Sequence, residues 1–257
     1  MDLAKFNFEP SVITDFMQSA IIDIGDELQL CVEVGGNPDH PPLLLIMGLG
    51  SQLVFWPDSF VKGLIDAGFF VIRFDNRDIG LSSKIARPFP RFPINNVKMM
   101  LRMQVGLTNR HFPVAYNLFD MVEDTRRLLD KLELKNVYVV GASMGGMIAQ
   151  ILAAKYPKRV STLGLMFTSN NKPFLPPTKP KQLQTLLSHP KTTQIDDVVA
   201  YGVWCMQRIG SPNHVDEEEV ERLIRLRFER SYHPRGALQQ LQAILATGSI
   251  VEFDQKI

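Results

Sequence analysis

Two apolar-rich runs open the chain, Ser19 to Ile24 and Leu28 to Val34, with Gly25-Asp26 between them. A Gly-Asp link between such runs predicts a β-hairpin. The next run, Leu43 to Met47, is apolar without alternation. That is the pattern of a strand covered on both faces, as in a parallel sheet. From there the periodicity alternates. Phe60, Val61, Leu64 and Ile65 share one helical face between Pro57 and Gly68, and Phe69 to Phe74 reads as another buried strand. A helix follows over Asn117 to Leu132, with early acids (Asp120, Glu123, Asp124) and a late Lys131 that match its dipole. A strand over Val137 to Val140, a helix over Ser143 to Tyr156 and a strand over Thr162 to Phe167 complete the series. Strand and helix in alternation predict an α/β fold with a mostly parallel sheet and an N-terminal hairpin.

Two stretches break the rhythm. Lys84 to Ala115 carries Pro88, Pro90, Pro93 and Pro113 around Met99, Met100 and Met103. It reads either as an irregular crossover with one short helix or as a substrate-facing lid. From Asn170 to Ala246 only helical patterns occur, after a Pro-rich entry. The expected organisation is therefore a core over 1–169, a helical cap over 170–246, and a return to the core over 247–257. Within the cap, Asp216 and Glu219 suit a capping box, and Glu218/Arg222 and Glu221/Arg225 suit helical pairs. The acidic run there is a solvated helix face.

Composition adds mostly exclusions. The 257 residues are 45% hydrophobic and 21% charged, with a formal net charge of +1. This is enough apolar matter for a core and no general attraction to nucleic acid or an anionic membrane. Cys31 and Cys205 have no metal-ligand spacing and read as reduced core thiols. No metal and no cofactor are expected. No apolar run approaches the ~20 residues of a membrane span, and Met1 to Pro10 lacks a secretory pattern. The expectation is a soluble cytoplasmic protein.

The chemistry concentrates at Gly141-Ala142-Ser143-Met144-Gly145, a G-x-S-x-G set between a buried strand and an amphipathic helix. A serine on such a turn is held in a strained conformation that exposes its hydroxyl as a nucleophile. Gly141 and Gly145 are required where strand and helix pack too closely for a side chain. An attacked carbonyl needs N–H donors for its oxyanion. The N–H of Met144 is one, and Leu49, in the turn Met47 to Gln52 where Gly48 lets the backbone bend, is the expected second.

These segments, with Arg73-Phe74-Asp75-Asn76-Arg77-Asp78-Ile79-Gly80-Leu81-Ser82 and Tyr116 to Met121, resemble the α/β-hydrolase superfamily. The resemblance is to bacterial capped serine esterases of the aclacinomycin methylesterase group. Two positions depart from it: Met47, where many relatives have His, and Asp78, where many have Gly. Asp75 and Arg77 are read as organisers of their loop. The resemblance implies hydrolysis of a carboxylic ester or lactone, with a hydrophobic part, through an acyl-Ser143 intermediate. Haloperoxidase and C–C hydrolase chemistry share the same residues. It also implies an acid and a His on two later strands, and the chain stops where the first of these is expected; ~50 residues of such a fold are wanting. None of His40, His111, His189, His214 and His233 stands at the family position, and Thr168-Ser169-Asn170-Asn171 offers no acid. The activity is accordingly expected to be impaired. The alternative is a non-catalytic hydrolase-like binding protein or inactive fragment, its last strand an open edge available for self-association.

Overall fold

The structure is a computed structural model that describes residues 3–86, 94–176, 178–211 and 215–257. Pro88, Pro90 and Pro93 of the first irregular stretch, Pro177 of the second, and His214 lie outside the described residues. The chain divides into two compact units, Met1–Leu175 with His233–Ile257, and Pro176–Tyr232.

In the first unit the hairpin forms as its pattern requires. A short β1 (Glu9–Pro10) pairs with β2 (Gln18–Gly25), which turns back into β3 (Leu28–Gly35). The turn falls one residue later than expected. Gly25 pairs with Leu28, so Asp26 and Glu27 take the two left-handed central positions (φ 55° and 59°). β4 (Pro42–Ile46), helix α1 (Asp58–Asp66) and β5 (Phe70–Phe74) follow. After α2 (Asn96–Gln104) come α3 (Leu118–Lys131), β6 (Val137–Ala142), α4 (Met144–Lys155) and β7 (Val160–Met166).

The seven strands lie in the order β1-β2-β3-β5-β4-β6-β7, antiparallel up to β5 and parallel beyond it. The unbroken apolar run of β4 has its explanation here. Leu43 and Leu45 pack with Val61 and the apolar face of α1, while Leu44 and Ile46 pack with α3 and α4. Helix α3 starts at a complete capping box: Asn117 Oδ1 accepts from Asp120 N, and Asp120 Oδ2 accepts from Asn117 N at 2.8 Å. β7 closes the parallel side, and no described strand pairs with its outer edge. Cys31 is buried and Cys205 half-buried, and neither is bridged.

The second unit is helical: α5 (Pro180–Leu187), α6 (Ile195–Ile209) and α7 (Glu217–Arg230). Val198, Val199 and Ile224 form its centre. Gly202 lets α6 approach α7, since a Cβ there would stand 2.4 Å from Ile224 Cδ1. Asp216 caps α7 by accepting from Glu219 N, and Arg225 pairs with Glu221 as its spacing predicts. Arg222 pairs with Glu219, three residues back, in place of the expected Glu218.

Helix α8 (Pro234–Thr247) belongs to the first unit, although its pattern placed it in the insertion. Its apolar side is taken up there: Leu241, Leu245 and Ala246 pack with Met99 of α2, and Ala243 joins the main core. The compact helical unit thus spans 176–232 where the sequence suggested 170–246. Beyond α8, Val251–Lys256 forms a 3-10 turn that packs Phe253 against Phe119.

One buried ion pair ties the hairpin to the sheet. Arg73 on β5 lies opposite Glu33 on β3, and both are essentially inaccessible. The guanidinium Nε donates to Glu33 Oε2 at 2.8 Å, and Ser11 Oγ donates to Oε1 at 2.7 Å. Removing Glu33 leaves the buried Arg73 charge with Trp56 O at 3.3 Å and the half-exposed Asp58 at 3.7 Å, and breaking a buried pair costs about 3–5 kcal/mol. Glu33→Ala is therefore expected to lower the urea unfolding free energy by about that amount. Lys62→Ala, which removes an exposed pair with Asp66, should change it by less than about 1 kcal/mol.

Candidate active site

β6 runs directly into α4 with one residue at the junction, Ser143, at φ 53° and ψ −120°. A side chain in this region is strained by about 1–3 kcal/mol and persists only where its surroundings hold it. Here they hold it through the backbone. Ser143 N donates to Met166 O of β7 at 3.0 Å. Its carbonyl accepts from Gly146 N (2.9 Å), Met147 N (3.2 Å) and Thr168 Oγ1 (2.6 Å). Among the described residues, Ser143 Oγ itself has no hydrogen-bond partner.

The flanking glycines are set by space. A Cβ on Gly141 would lie 2.4 Å from Gly145 O, and one on Gly145 would lie 2.0 Å from Ile46 O. A Cβ on Gly146 would lie 2.6 Å from Thr168 Cβ. The sequence motif accounts for the first two; the third follows from the brace on the Ser143 carbonyl.

The turn after β4 stands against the serine. An added Cβ on Gly48 would lie 3.0 Å from Ser143 Cβ and 3.6 Å from its Oγ. Ser51 N closes this turn by donating to Gly48 O at 3.2 Å, and Gly50 takes φ +66°. Neither Leu49 N–H nor Met144 N–H donates to another described residue. Three further groups fix the turn. Asn76 Nδ2 donates to Met47 O at 3.0 Å, and Asp75 Oδ1 accepts from Leu53 N at 2.7 Å. Gln240 of α8, fully buried, accepts from Gly50 N at 2.8 Å and donates to Arg77 O at 2.9 Å.

Asp75 and Arg77 behave as loop organisers. Asp75 also accepts from Leu81 N at 3.0 Å and, through its backbone carbonyl, from Ser82 Oγ at 2.6 Å. Arg77 makes a two-pronged pair with Asp124 of α3 at 2.5 Å and lies over the Tyr116 ring. Burial pushes the Asp124 carboxyl above its usual range against the pull of Arg77. Asp78 takes φ +70°, in the left-handed region that favours glycine. Its Oδ1 accepts from Ile85 N at 2.6 Å, which helps hold the strained backbone. Burial, and then the Asp78 carboxylate, push the Tyr116 phenol well above its ordinary value.

Among the described residues no histidine bonds to Ser143. His40 sits in an exposed turn with Asn37, His111 is exposed with its ring on Phe112, and His189 bonds Pro190 O in the helical unit. His233 caps α8 beside Asp78, whose Cβ and the His233 Cδ2 both lie 2.9 Å from the Cβ position of Gly236. Thr168 is spent on the Ser143 carbonyl and Asn170 on Asp254 at 2.7 Å. Among the described residues no cluster of His, Cys, Asp and Glu could hold a metal ion.

Gln240, Asn76 and Thr168 escaped the sequence reading. A glutamine inside the apolar stripe of α8 was the available signal for the first. Asn76 stood inside the Arg73–Ser82 segment with no role read for it, and Thr168 differs in nothing from an ordinary loop residue.

A model of the α/β-hydrolase fold matches residues 41–198, more than half of the chain. Rhodomycin D methylesterase of Streptomyces peucetius is 36% identical over 141 residues, 55% of this chain and 39% of that protein. The chain thus spans about two fifths of that relative's length. The crystal structure of a hydrolase from Pseudomonas aeruginosa superposes with a TM-score of 0.58 at 23% identity, covering 88% of this chain and 72% of that one. A structure from work on carboxylesterases of Nitrososphaera gargenis gives 0.62 at 18%, covering 91% and 75%.

Two outcomes follow from this geometry. Ser143→Gly relieves the strain and deletes a hydroxyl that has no bond to lose, so it should raise stability by about 1 kcal/mol in urea unfolding. Gly145→Ala should do the opposite and prevent folding of the first unit, since the obstruction is backbone. A third concerns pH. Burial holds His233 below its ordinary value, Lys84 and Arg235 act the same way, and Asp78 acts against them. The folded state then binds this proton less readily than the unfolded chain. The contribution is present above the ordinary histidine value of about 6.5 and is lost as pH falls through the folded value. His233→Gln should flatten this part of a stability-against-pH curve measured by urea midpoints.

Proposed function

We propose that this chain, which belongs to the α/β-hydrolase fold family, carries the nucleophile and oxyanion donors of a serine ester hydrolase. The observation that carries the reading is the pairing of a strained Ser143 whose Oγ is unbonded with a glycine turn whose backbone lies against it. In the reaction, Ser143 Oγ attacks the carbonyl carbon of an ester or lactone and its proton passes to a base. The carbonyl oxygen takes up the negative charge and is held by Leu49 N–H and Met144 N–H, both unengaged among the described residues. Such preorganised donors contribute about 3–4 kcal/mol to the transition state each. The C–O bond to the alcohol then breaks, the alcohol leaves with a proton, and water releases the acid from acyl-Ser143.

The names of the methylesterase and carboxylesterase relatives support an ester as the substrate class. The helical unit 176–232 is read as the cap from its place in the chain between β7 and α8. A hydrophobic portion of the substrate is part of this proposal.

A second reading has its own observation. No described His stands at Ser143, and an unassisted serine hydroxyl is a weak nucleophile at neutral pH. On this reading the residues here bind an acyl compound without turning it over.

The two separate in one experiment. The 257-residue chain is incubated with a p-nitrophenyl ester and, separately, with a fluorophosphonate probe. Turnover abolished by Ser143→Ala supports the first reading, at a rate well below that of a complete triad. Adduct on Ser143 without turnover supports the second. Absence of any Ser143-dependent adduct sinks the first reading, and absence of any binding of the ester sinks the second.

A further inference from the structure

The positive charge of the chain is unevenly distributed. Between Asp78 and Asp120 stand six Lys and Arg residues and no Asp or Glu, while the whole chain balances at +1. α2 lies in this segment and is apolar on two sides. On its inner side Met99 is fully buried against Leu241 and Leu245 of α8. On the outer side Val97, Leu101 and Val105, spaced one turn apart, are 50%, 65% and 49% exposed. Phe174, 78% exposed, is fastened beside the end of α2, its N–H donating to Gln104 O at 2.9 Å.

The cations flank this stripe. Lys98 projects about 100° round the helix from Val97, and Arg102 follows one turn on. Arg102 bonds Thr108 O and Asn109 Oδ1, so its charge meets no carboxylate among the described residues. Neither Lys98 nor Arg110 has an acidic partner among them either. A surface helix ordinarily turns its apolar stripe inward and its polar face to solvent. Here one apolar side faces outward beside uncompensated positive charge.

We propose that the outer face of α2, with Phe174, is an interfacial surface that docks on an anionic phospholipid bilayer. Aliphatic and phenyl groups enter the headgroup boundary while Lys98, Arg102 and Arg110 meet the anionic headgroups, the usual division of labour of a surface-lying helix. A second copy of this chain is a poor occupant, because it would bring the same positive face. Nucleic acid would answer the charge and leave the aliphatic stripe unanswered. The near-neutral balance of the chain does not oppose this docking. Charges separated by more than the Debye length of about 10 Å are screened, so the bilayer meets the local patch and not the total. Helix α2 at nine residues is far too short to span, and no described helix is long and apolar enough to cross a membrane.

The test is co-sedimentation of the full chain with phosphatidylcholine vesicles, with and without phosphatidylglycerol. Anionic vesicles should bind about tenfold more tightly, and added salt should weaken the binding. Leu101→Asp and Phe174→Ser should each reduce partitioning by roughly tenfold. Both side chains are solvent-facing, so urea midpoints should stay unchanged. Lys98→Glu with Arg110→Glu should abolish the preference for anionic lipid. Val12→Asp, at a fully exposed site elsewhere, should have no effect. Absence of binding, equal affinity for both vesicle types, or binding indifferent to Leu101→Asp would each overturn the proposal. A dimer in sedimentation velocity that Leu101→Asp dissolves, with no vesicle binding, would overturn it too and assign the face to self-contact.

Discussion

The candidate site depends on how near one helix can come to one strand. The first turn of α4 lies so close to the end of β4 that Gly145 has no room for a methyl group before Ile46 O. That approach forces the chain to reverse within a single residue between β6 and α4, and it forces Ser143 into its uncommon backbone angles. The Ser143 carbonyl receives three hydrogen bonds, which hold the strained backbone, while its hydroxyl is unbonded among the described residues. The strain at Ser143 and the bracing of its backbone are two sides of one packing constraint.

The turn over the serine is organised differently. Its conformation rests on polar side chains from distant segments, beside the hydrophobic packing of Met47 and Leu49. Asn76 and Asp75 come from the loop after β5, and Gln240 comes from α8. The Asp75 loop is in turn held by Arg77 on Asp124, deep against α3. Removing water from so many polar groups is tolerable because each of these contacts is directional and complete. Helix α8 therefore serves twice, covering α2 with its apolar side and steadying the Gly48–Ser51 turn through one amide.

Much of this was legible in the sequence. Gly141, Ser143 and Gly145 between a β-branched run and a helical run carry their own steric reason: an added Cβ at either glycine would meet backbone. The buried strands were legible because lack of alternation in β4 and β5 has one physical cause, cover on both faces. The boundary of the helical insertion was not. A helix that packs into a core and one that packs into a small separate unit show the same period, and only the partners of Leu241 and Leu245 distinguish them. Gln240 stayed hidden for a related reason: a polar residue on an apolar face is uninformative until the two backbone groups it serves are known. The pairing of Arg222 with Glu219 had no signal in the sequence, since both spacings bring the charges within reach.

The hydrogen bond between Gly50 and Gln240 joins residues 190 positions apart. Proteins emerge from the ribosome N-terminus first at roughly 5–20 residues per second. The turn that lies over Ser143 is thus made early and receives its brace only after α8 has been synthesised, roughly ten to forty seconds later. During that interval β4 and β6 can already pair, while the turn between β4 and α1 lacks one of its fixed points. The architecture makes completion of the site a late event, tied to the docking of a helix far down the chain.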